Sequence, residues 1–419
     1  MLRNRLRRKA QRSAESDVLD RTPSAGASLM SYGSFWDSAE GDEYRRMQMV
    51  VSTARGAVSA KPVGKKAKGA DRERGLIIAA TQQWERAYRN GGWPRPRADV
   101  ALDVRAVTNK NAPQPQNFAK RLLDQLGGTG NESPIVYHDD RQVTMLFVRV
   151  DEFAPAEPEI YFAAQRASVI RDMIRRSSRA VDDGRDDDEV DHEWHRLASQ
   201  LEADEDTISD WRTAKDEFGQ RIYRRALRTW RYHSQQYALA SADRLSRDLV
   251  QSYAGLRARD VREFYELTAQ LLDMLSQMPY AVSLGQLPSK EGETVLFRDR
   301  VRAALRFRAT EFPNLYPIEQ PIGLTAFVVP HTAGKDADNV FRDLVVPTLL
   351  EELRPPRTAT FPTFDEPDDA PAAAQPHIHF IETITLDGLP RPPGTVVIAL
   401  SNGNRYKSWW QLALDNATE

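Results

Sequence analysis

The stretch Lys335-Asp336-Ala337-Asp338-Asn339-Val340-Phe341-Arg342 is the part of the chain from which fold and function are best approached. It follows a strand-like apolar run, Leu324 to Val329, and opens a helix-like run, Val340 to Leu353. Two carboxylates two residues apart, just before a helix, can point at one spot, and Mg²⁺ prefers oxygen ligands of this kind. Asp and Asn also begin helices simply by capping them. This stretch alone therefore leaves a metal site and a helix cap as alternatives.

The same pattern occurs earlier in the chain: a strand-like run, then a short polar segment, which we call the corner, and then a helix-like run. The strand-like run Leu102 to Val107 leads to Gln114-Pro115-Gln116-Asn117-Phe118-Ala119-Lys120 and a helix-like run. Leu102 and Leu324 are 222 residues apart, and Asn117 and Asn339 are separated by the same 222 (339 − 117), so the two blocks align without a gap. A repeat at this distance predicts a duplicated domain and not a solenoid of short units.

A family resemblance rests on the continuation of the first block. That block runs on to Pro134-Ile135-Val136-Tyr137-His138-Asp139-Asp140-Arg141-Gln142-Val143. An Asn-x-x-Lys helix followed by Asp-Asp-x-Gln-Val and a strand resembles the RusA family of Holliday-junction resolvases, whose pattern is Asp-x-Asp-Asn-x-x-Lys and then Asp-Asp-x-Gln-Val. The resemblance covers residues 75–152 and, more faintly, 295–402. It implies a Mg²⁺-dependent endonuclease that acts as a dimer on branched DNA.

The two blocks depart from the family pattern in complementary ways. The first keeps the asparagine, the lysine, the acidic pair and the glutamine, which are Asn117, Lys120, Asp139, Asp140 and Gln142. Gln114 and Gln116 replace its two metal-binding aspartates. The second block keeps Asp336, Asp338 and Asn339. Its lysine is replaced by Arg342, and Asp365, Asp368 and Asp369 lie where its second motif would fall.

The resemblance assigns roles to five residues. The predicted catalytic residues are Asp336, Asp338, Asp140, Lys120 and Arg342, of which the three aspartates are the predicted Mg²⁺ ligands. Lys120 and Arg342 are the predicted phosphate contacts. We expect the second block to carry the better metal site, because amide side chains such as those of Gln114 and Gln116 bring no charge to a cation. The two corners could also share one ion, with Asp140 completing the set.

Composition limits the class of protein. The 419 residues carry a net charge of −2, which does not indicate a nucleic-acid binder, although a local patch matters more than the total. The absence of cysteine excludes disulfides and thiolate metal sites. No apolar run approaches the length of a membrane span, and the basic N-terminus lacks the apolar core of a signal peptide. We therefore expect a cytoplasmic protein.

Between the two blocks, the pattern changes to long helices. Ile160, Phe162, Val169, Met173 and Ile174 are predicted to lie on one of them. A later segment, 221–232, holds five arginines with interleaved aromatic residues. Because guanidinium groups bind phosphates well, we predict that four of its arginines contact DNA: Arg224, Arg225, Arg228 and Arg231. The alternative is a solvated basic face paired with nearby acids such as Asp216.

The predicted fold is α/β (α+β), with two RusA-like mixed sheet-and-helix units joined by a helical insert. The predicted boundaries are 1–30 for a disordered basic tail, 31–155 for the first unit, 156–290 for the insert and 291–419 for the second unit. Residues 378–385 and 395–399 are predicted to form the two strands of a hairpin. Since both units lie in one chain, we expect a monomer that acts as an intramolecular pseudo-dimer.

Two functions are consistent with these residues. The first is a Mg²⁺-dependent, structure-selective endodeoxyribonuclease acting on branched DNA. The alternative is a catalytically degenerate DNA-binding protein that clamps branched or duplex DNA, which the two glutamines in the first block favour. A structural interaction protein built around the helical insert is a third possibility. Binding of Mg²⁺ distinguishes the first function from the others.

Overall fold

The computed structural model of the chain describes ten segments that lie between residues 54 and 415. They are residues 54–64, 70–88, 98–127, 134–153, 157–181, 219–254, 261–288, 291–330, 337–358 and 375–415. All belong to one compact unit, Met47–Glu419. The predicted tail, 1–30, and Asp365, Asp368 and Asp369 lie outside the described residues.

The described strands form one mixed eight-stranded sheet. They are β1 Ala54–Val58, β2 Val100–Thr108, β3 Val143–Glu152, β4 Glu159–Arg166, β5 Ala281–Gln286, β6 Ile322–Val328, β7 Ile378–Thr385 and β8 Thr395–Asn402. Their order across the sheet is β1-β4-β2-β3-β7-β6-β8-β5. The mixed α/β architecture predicted from the sequence is confirmed.

Helices connect these strands. They are α1 Ala70–Tyr88, α2 Pro115–Gly127, α3 Ala167–Val181, α4 Gln220–Tyr253, α5 Val261–Gln277, α6 Thr294–Glu311, α7 Ala337–Val340, α8 Val346–Leu353 and α9 Trp409–Asp415. A π-helical turn, Phe341–Val345, joins α7 to α8. Among the described helices, none is both long and apolar enough to cross a membrane.

The sheet consists of two four-stranded halves with the same order of strands. We call β1-β4-β2-β3 the first half and β5-β8-β6-β7 the second half. In each half the last two strands named are parallel and the other neighbours are antiparallel. The parallel pairs also share an irregularity at their start, because β3 and β7 each contain one extra residue there. The helices α2 and α7 begin 222 residues apart (337 − 115).

The pairing of the two central strands relates the halves residue by residue. Leu102 pairs with Leu146 in the first half and Leu324 pairs with Ile381 in the second, so β3 and β7 correspond with an offset of 235 (381 − 146). Phe147 pairs directly with Glu382, and these two residues are also 235 apart (382 − 147). Exchanging the halves therefore leaves this antiparallel ladder unchanged.

Two apolar layers cover the two faces of the sheet. Alternate residues of β2 divide between them, since Leu102 packs with Phe118 of α2 and Ala101 packs with Ile170 of α3. The first layer also contains residues of α6 and α8, and the second contains residues of α4, α5 and α9. Every residue of β2 is buried, as expected for a central strand covered by helices on both faces.

The structure corrects the reading of residues near the middle of the chain. The helix predicted at Ile160 and Phe162 was wrong, because both lie on β4, which pairs with β2 and β1. The hairpin predicted from 378–385 and 395–399 was also wrong, since β6 lies between β7 and β8. The predicted strands at β2, β3 and β6, and the helices predicted after β2 and β6, are confirmed.

Candidate active site

Helix α2 and the segment just before β3 bring Lys120 and Asp140 together. Lys120 is 9% exposed, and its Nζ lies 3.3 Å from a carboxylate oxygen of Asp124 and 3.5 Å from one of Asp140. The side chain of Asp140 is about one-third exposed. The lysine ammonium is thus paired with two carboxylates at a partly exposed position. The structure thus joins two of the predicted catalytic residues.

The rest of the Asp-Asp-x-Gln motif has a structural explanation. Asp139 caps a short 3-10 helix, Asp140–Gln142, by accepting a hydrogen bond from the backbone of Arg141. The Gln142 side chain accepts bonds from His138 and Asp139 and donates to the carbonyl of Ala98 at 2.8 Å. These reciprocal bonds form a capping box. They hold the backbone at Asp140 in place, where its side chain pairs with Lys120.

A buried network fixes α2 against α1. The Arg121 guanidinium donates to Glu73 at 2.7 Å, and the Gln125 amide donates to the same carboxylate at 3.1 Å. Arg74 donates to the carbonyl of Gln125. All four side chains are buried. This network orients the face of α2 that carries Lys120.

Gln114 connects the first half to the second. Its amide nitrogen donates to the carbonyl of Pro376 at 2.8 Å, and its amide oxygen accepts from the backbone of Ile378 at 3.3 Å. The corner that precedes α2 therefore lies against the start of β7. Gln116 is 5% exposed, and its Oε1 has no hydrogen-bond partner among the described residues. Neither glutamine approaches Asp140 in any described contact.

The second-half motif is only partly described. Asp336 lies outside the described residues, and Asp338 lies on α7 with its side chain outside them. Arg342, on the π-helical turn, donates two hydrogen bonds to Asp343, at 2.7 and 2.6 Å. Its side chain is 15% exposed.

Sequence reasoning missed Gln375. Counting 235 back from Ile378 gives Val143, and the same count relates Gln375 to Asp140 and His377 to Gln142. Gln375 is exposed just before β7. The offset could have been found by aligning Val143 with Ile378, but only the strand register fixes it.

His377 and His379 lie at this same end of the sheet. Their rings are 5.1 Å apart in an edge-to-face arrangement, and His379 contacts the carbonyl of Arg357. Burial lowers the pKa of His377 to about 2 and that of His379 to about 4, with nearby Arg149 and Arg357 contributing. Both imidazoles are therefore neutral at physiological pH.

A second cluster of charges lies on the opposite face of the sheet. Arg405 donates to Glu382 and to Thr325, and its guanidinium lies 4.0 Å from the centre of the Trp409 ring. Asp243 of α4 accepts from the backbone of Asn402 at 3.3 Å, and burial raises its pKa to about 7. This cluster attaches α4 and α9 to the second half, away from Lys120 and Asp140.

The predicted DNA-binding arginines lie in the first turns of α4. Arg228 and Arg231 both contact Glu319, at 3.4 and 3.2 Å, and Arg231 also donates to the carbonyl of Asn314. Arg224 is exposed and Arg225 is half-buried. Two of the four arginines thus attach α4 to the segment before β6, while Arg224 faces solvent.

Within the described parts of the chain, no group of three or more His, Asp and Glu side chains could hold a metal ion. The chain was compared with protein-family models, with curated proteins and with solved structures. None of the three gave a match.

Proposed function

We propose that this protein is a Mg²⁺-dependent endodeoxyribonuclease acting on branched DNA, built from two RusA-like units in one chain. The motif residues of the two blocks support the resemblance. The repeated strand order, the repeated register shift and the offsets of 222 and 235 support an origin by tandem duplication. A sheet continuous across β3 and β7 then takes the place of the interface between two subunits.

The contacts of Gln114 carry the proposal for the active site. Gln114 belongs to the first half but bonds to the start of β7 in the second. Asp336 is its counterpart by the offset of 222 (336 − 114). By the offset of 235, the counterpart of the start of β7 is the start of β3, just before which Asp140 lies. The proposed site therefore combines Asp336 and Asp338 with Asp140 and Lys120.

The residues of this site fit Mg²⁺ by their chemistry. Three carboxylates supply charged oxygen ligands, and the Asp140 side chain is accessible to solvent. Bound there, Mg²⁺ would activate water and neutralise charge on the phosphate. Lys120, held by Asp124 and Asp140, would contact a phosphate oxygen of the strand to be cut. Asn117 and Asn339 each lie two residues beyond the first residue of their helix and would orient the residues at its start.

The decisive experiment compares Asp336→Asn, Asp338→Asn and Asp140→Asn. Mg²⁺ binding is measured by calorimetry, and cleavage is measured on labelled four-way junctions and on linear duplex. We expect each variant to lose binding and at least about 100-fold in cleavage rate, because each removes a charged ligand. Asp139→Asn is the matched control. It removes one negative charge from the residue next to Asp140, and asparagine caps a helix as well as aspartate does.

Each outcome separates the two functions. Loss in all three variants with an active control supports a site shared between the halves. An active Asp140→Asn variant would confine the site to the second half. If the wild-type protein neither binds Mg²⁺ nor cleaves but still binds junctions, the DNA-clamp alternative takes its place. A chain that acts as its own pseudo-dimer should also scatter light as a monomer of 47.5 kDa.

A further inference from the structure

A second group of residues is the counterpart of the proposed active site under exchange of the two halves. Its members follow from the offsets of 222 and 235, and they are Gln114, Gln116, Gln375 and Arg342. Each corresponds to one residue of the proposed site, in the order Asp336, Asp338, Asp140 and Lys120. All four members lie in described segments. We call this group the amide set.

The substitutions in the amide set follow one rule. At each of three positions, an aspartate in the proposed site is matched by a glutamine, and the lysine is matched by an arginine. Both changes keep a polar side chain, although glutamine is one methylene longer than aspartate. Only the aspartate-to-glutamine changes remove charge, and they remove all three negative charges that a divalent cation would need. The arginine keeps its positive charge and adds donors suited to phosphate.

Described contacts hold two members of the amide set in place: Gln114 bonds to the start of β7, and Arg342 bonds to Asp343. Gln114 ties the two halves together with two hydrogen bonds to the backbone of Pro376 and Ile378. An aspartate at position 114 could not make the bond to Pro376, because an ionised carboxylate has no hydrogen to donate. Gln116 is 95% buried at the start of α2 with an unpartnered amide oxygen. Gln375 is exposed beside this junction.

We propose that the amide set holds a phosphate of the second DNA strand without metal and without cleavage, so that the protein makes one incision for each bound junction. This inference rests on the proposed function. In that one incision, a water oxygen bonds to phosphorus, one phosphorus–oxygen ester bond breaks, and the leaving sugar oxygen takes up a proton. The strand at the amide set stays intact, because no charged oxygen there can bind the cation that activates water.

The test counts incisions on supercoiled circular DNA that extrudes a cruciform. One incision relaxes the circle and gives a nicked product, whereas two incisions before dissociation give a linear product. We expect the wild-type protein to give nicked circles. The variant Gln114→Asp/Gln116→Asp/Gln375→Asp should give linear DNA, and the number of Mg²⁺ ions bound per chain should double in calorimetry. Gln82→Asp, an exposed change on α1, is the matched control.

The outcomes keep the two proposals apart. Linear product from the wild-type protein would overturn the single-incision inference and leave the endonuclease standing. Absence of both cleavage and Mg²⁺ binding in the wild-type protein would overturn the endonuclease and the inference with it. A folded variant that gains no second Mg²⁺ would also overturn the inference. If thermal melting shows that the triple variant is unfolded, the double variant Gln116→Asp/Gln375→Asp replaces it in both assays. This double variant keeps the two hydrogen bonds of Gln114.

Discussion

The two halves of the sheet share their backbone arrangement and differ in their charged residues. Both have the same strand order, the same register shift and a helix that begins at the matched position. Yet Lys120 and Asp140 lie together in the first half, while Arg342 and Gln375 occupy the matched positions in the second. A fold set by buried apolar residues and backbone bonds thus allows its polar corners to diverge independently.

The same contrast occurs at the centre of the sheet, on its other face. Phe147 and Glu382 are counterparts that pair directly with each other. The first half has an aromatic ring at this position, whereas the second has a fully buried carboxylate that bonds to Arg405. Burial raises the pKa of Glu382, and the nearby guanidinium opposes that shift. The second half therefore depends on a buried ion pair at a position where the first half depends on packing.

The largest expected effect comes from breaking that ion pair. Arg405→Met should destabilise the protein by about 3–5 kcal/mol, because Glu382 would remain buried without a cation. The arginine also donates to the carbonyl of Lys407 at 2.7 Å and stacks on Trp409, so its loss should loosen α9 as well. The measurement is the free energy of unfolding from a urea titration.

The double variant Arg405→Met/Glu382→Gln is the control for this prediction. Its neutral amide can still accept the backbone bond that Trp409 donates to residue 382. We therefore expect it to be more stable than Arg405→Met alone. Equal stability of the two variants would show that packing of the arginine, and not its charge, stabilises this region.

The second prediction compares the two matched cations. Lys120→Met should lower the single-turnover cleavage rate by about 100-fold or more, the usual cost of losing one transition-state contact. Arg342→Met should instead weaken DNA binding and reduce the log–log salt slope by about 0.9, since one phosphate contact is lost. Similar losses of rate in both variants would mean that the halves are equivalent, which contradicts the single-incision inference.

Much of the fold was predictable because the long apolar runs have strong periodicity. The strands β2, β3 and β6 and the helices that follow β2 and β6 were found from pattern alone. The strand β4 was missed because Ile160 and Phe162 continue smoothly into the apolar positions of α3. Short runs of this kind do not distinguish a strand from a helix. The pairing of β7 with β6, and not with β8, depends on long-range contacts that a sequence does not display.

The site was predictable only where residues are close in sequence. The motif residues gave Lys120 and Asp140, which the structure brings within 3.5 Å. Asp124 was missed because an acid four residues beyond a lysine on a helix is common and carries no specific signal. The contact of Gln114 with Pro376 could not be predicted from the sequence, because the two residues are 262 positions apart.

The third prediction concerns the pH dependence of stability at His377, the counterpart of Gln142 in the first half. The pKa of His377 is lowered to about 2 in the folded protein, whereas an unfolded histidine takes up its proton near pH 6.5. Stability is therefore complete above about pH 6.5 and is lost as the pH falls below it, by about 1.4 kcal/mol per pH unit. His377→Gln introduces the residue found in the first half and should remove this contribution. The stability of the variant relative to the wild-type protein should therefore be about 2 kcal/mol more favourable at pH 5 than at pH 7.

Urea titrations between pH 7 and pH 5 measure this effect. His379, whose pKa is lowered to about 4, contributes in the same direction, so some acid sensitivity should remain in the variant. His138→Gln is the control, because His138 is exposed at the first-half corner. An unchanged pH dependence in His377→Gln would show that this imidazole is not buried in its neutral form.

The smallest expected effects come from the arginines of α4. Arg228→Gln/Arg231→Gln should cost about 1 kcal/mol of stability or less, because Glu319 is partly exposed and loses both partners. Arg224→Gln, at the exposed arginine, should leave stability almost unchanged but reduce the salt slope of DNA binding by up to about 0.9 for the lost phosphate contact. An unchanged salt slope for the Arg224 variant would favour the alternative given in the sequence analysis, in which these arginines form a basic face exposed to solvent. A reduced slope would extend the DNA surface from the two halves of the sheet to the helix that lies between them in sequence.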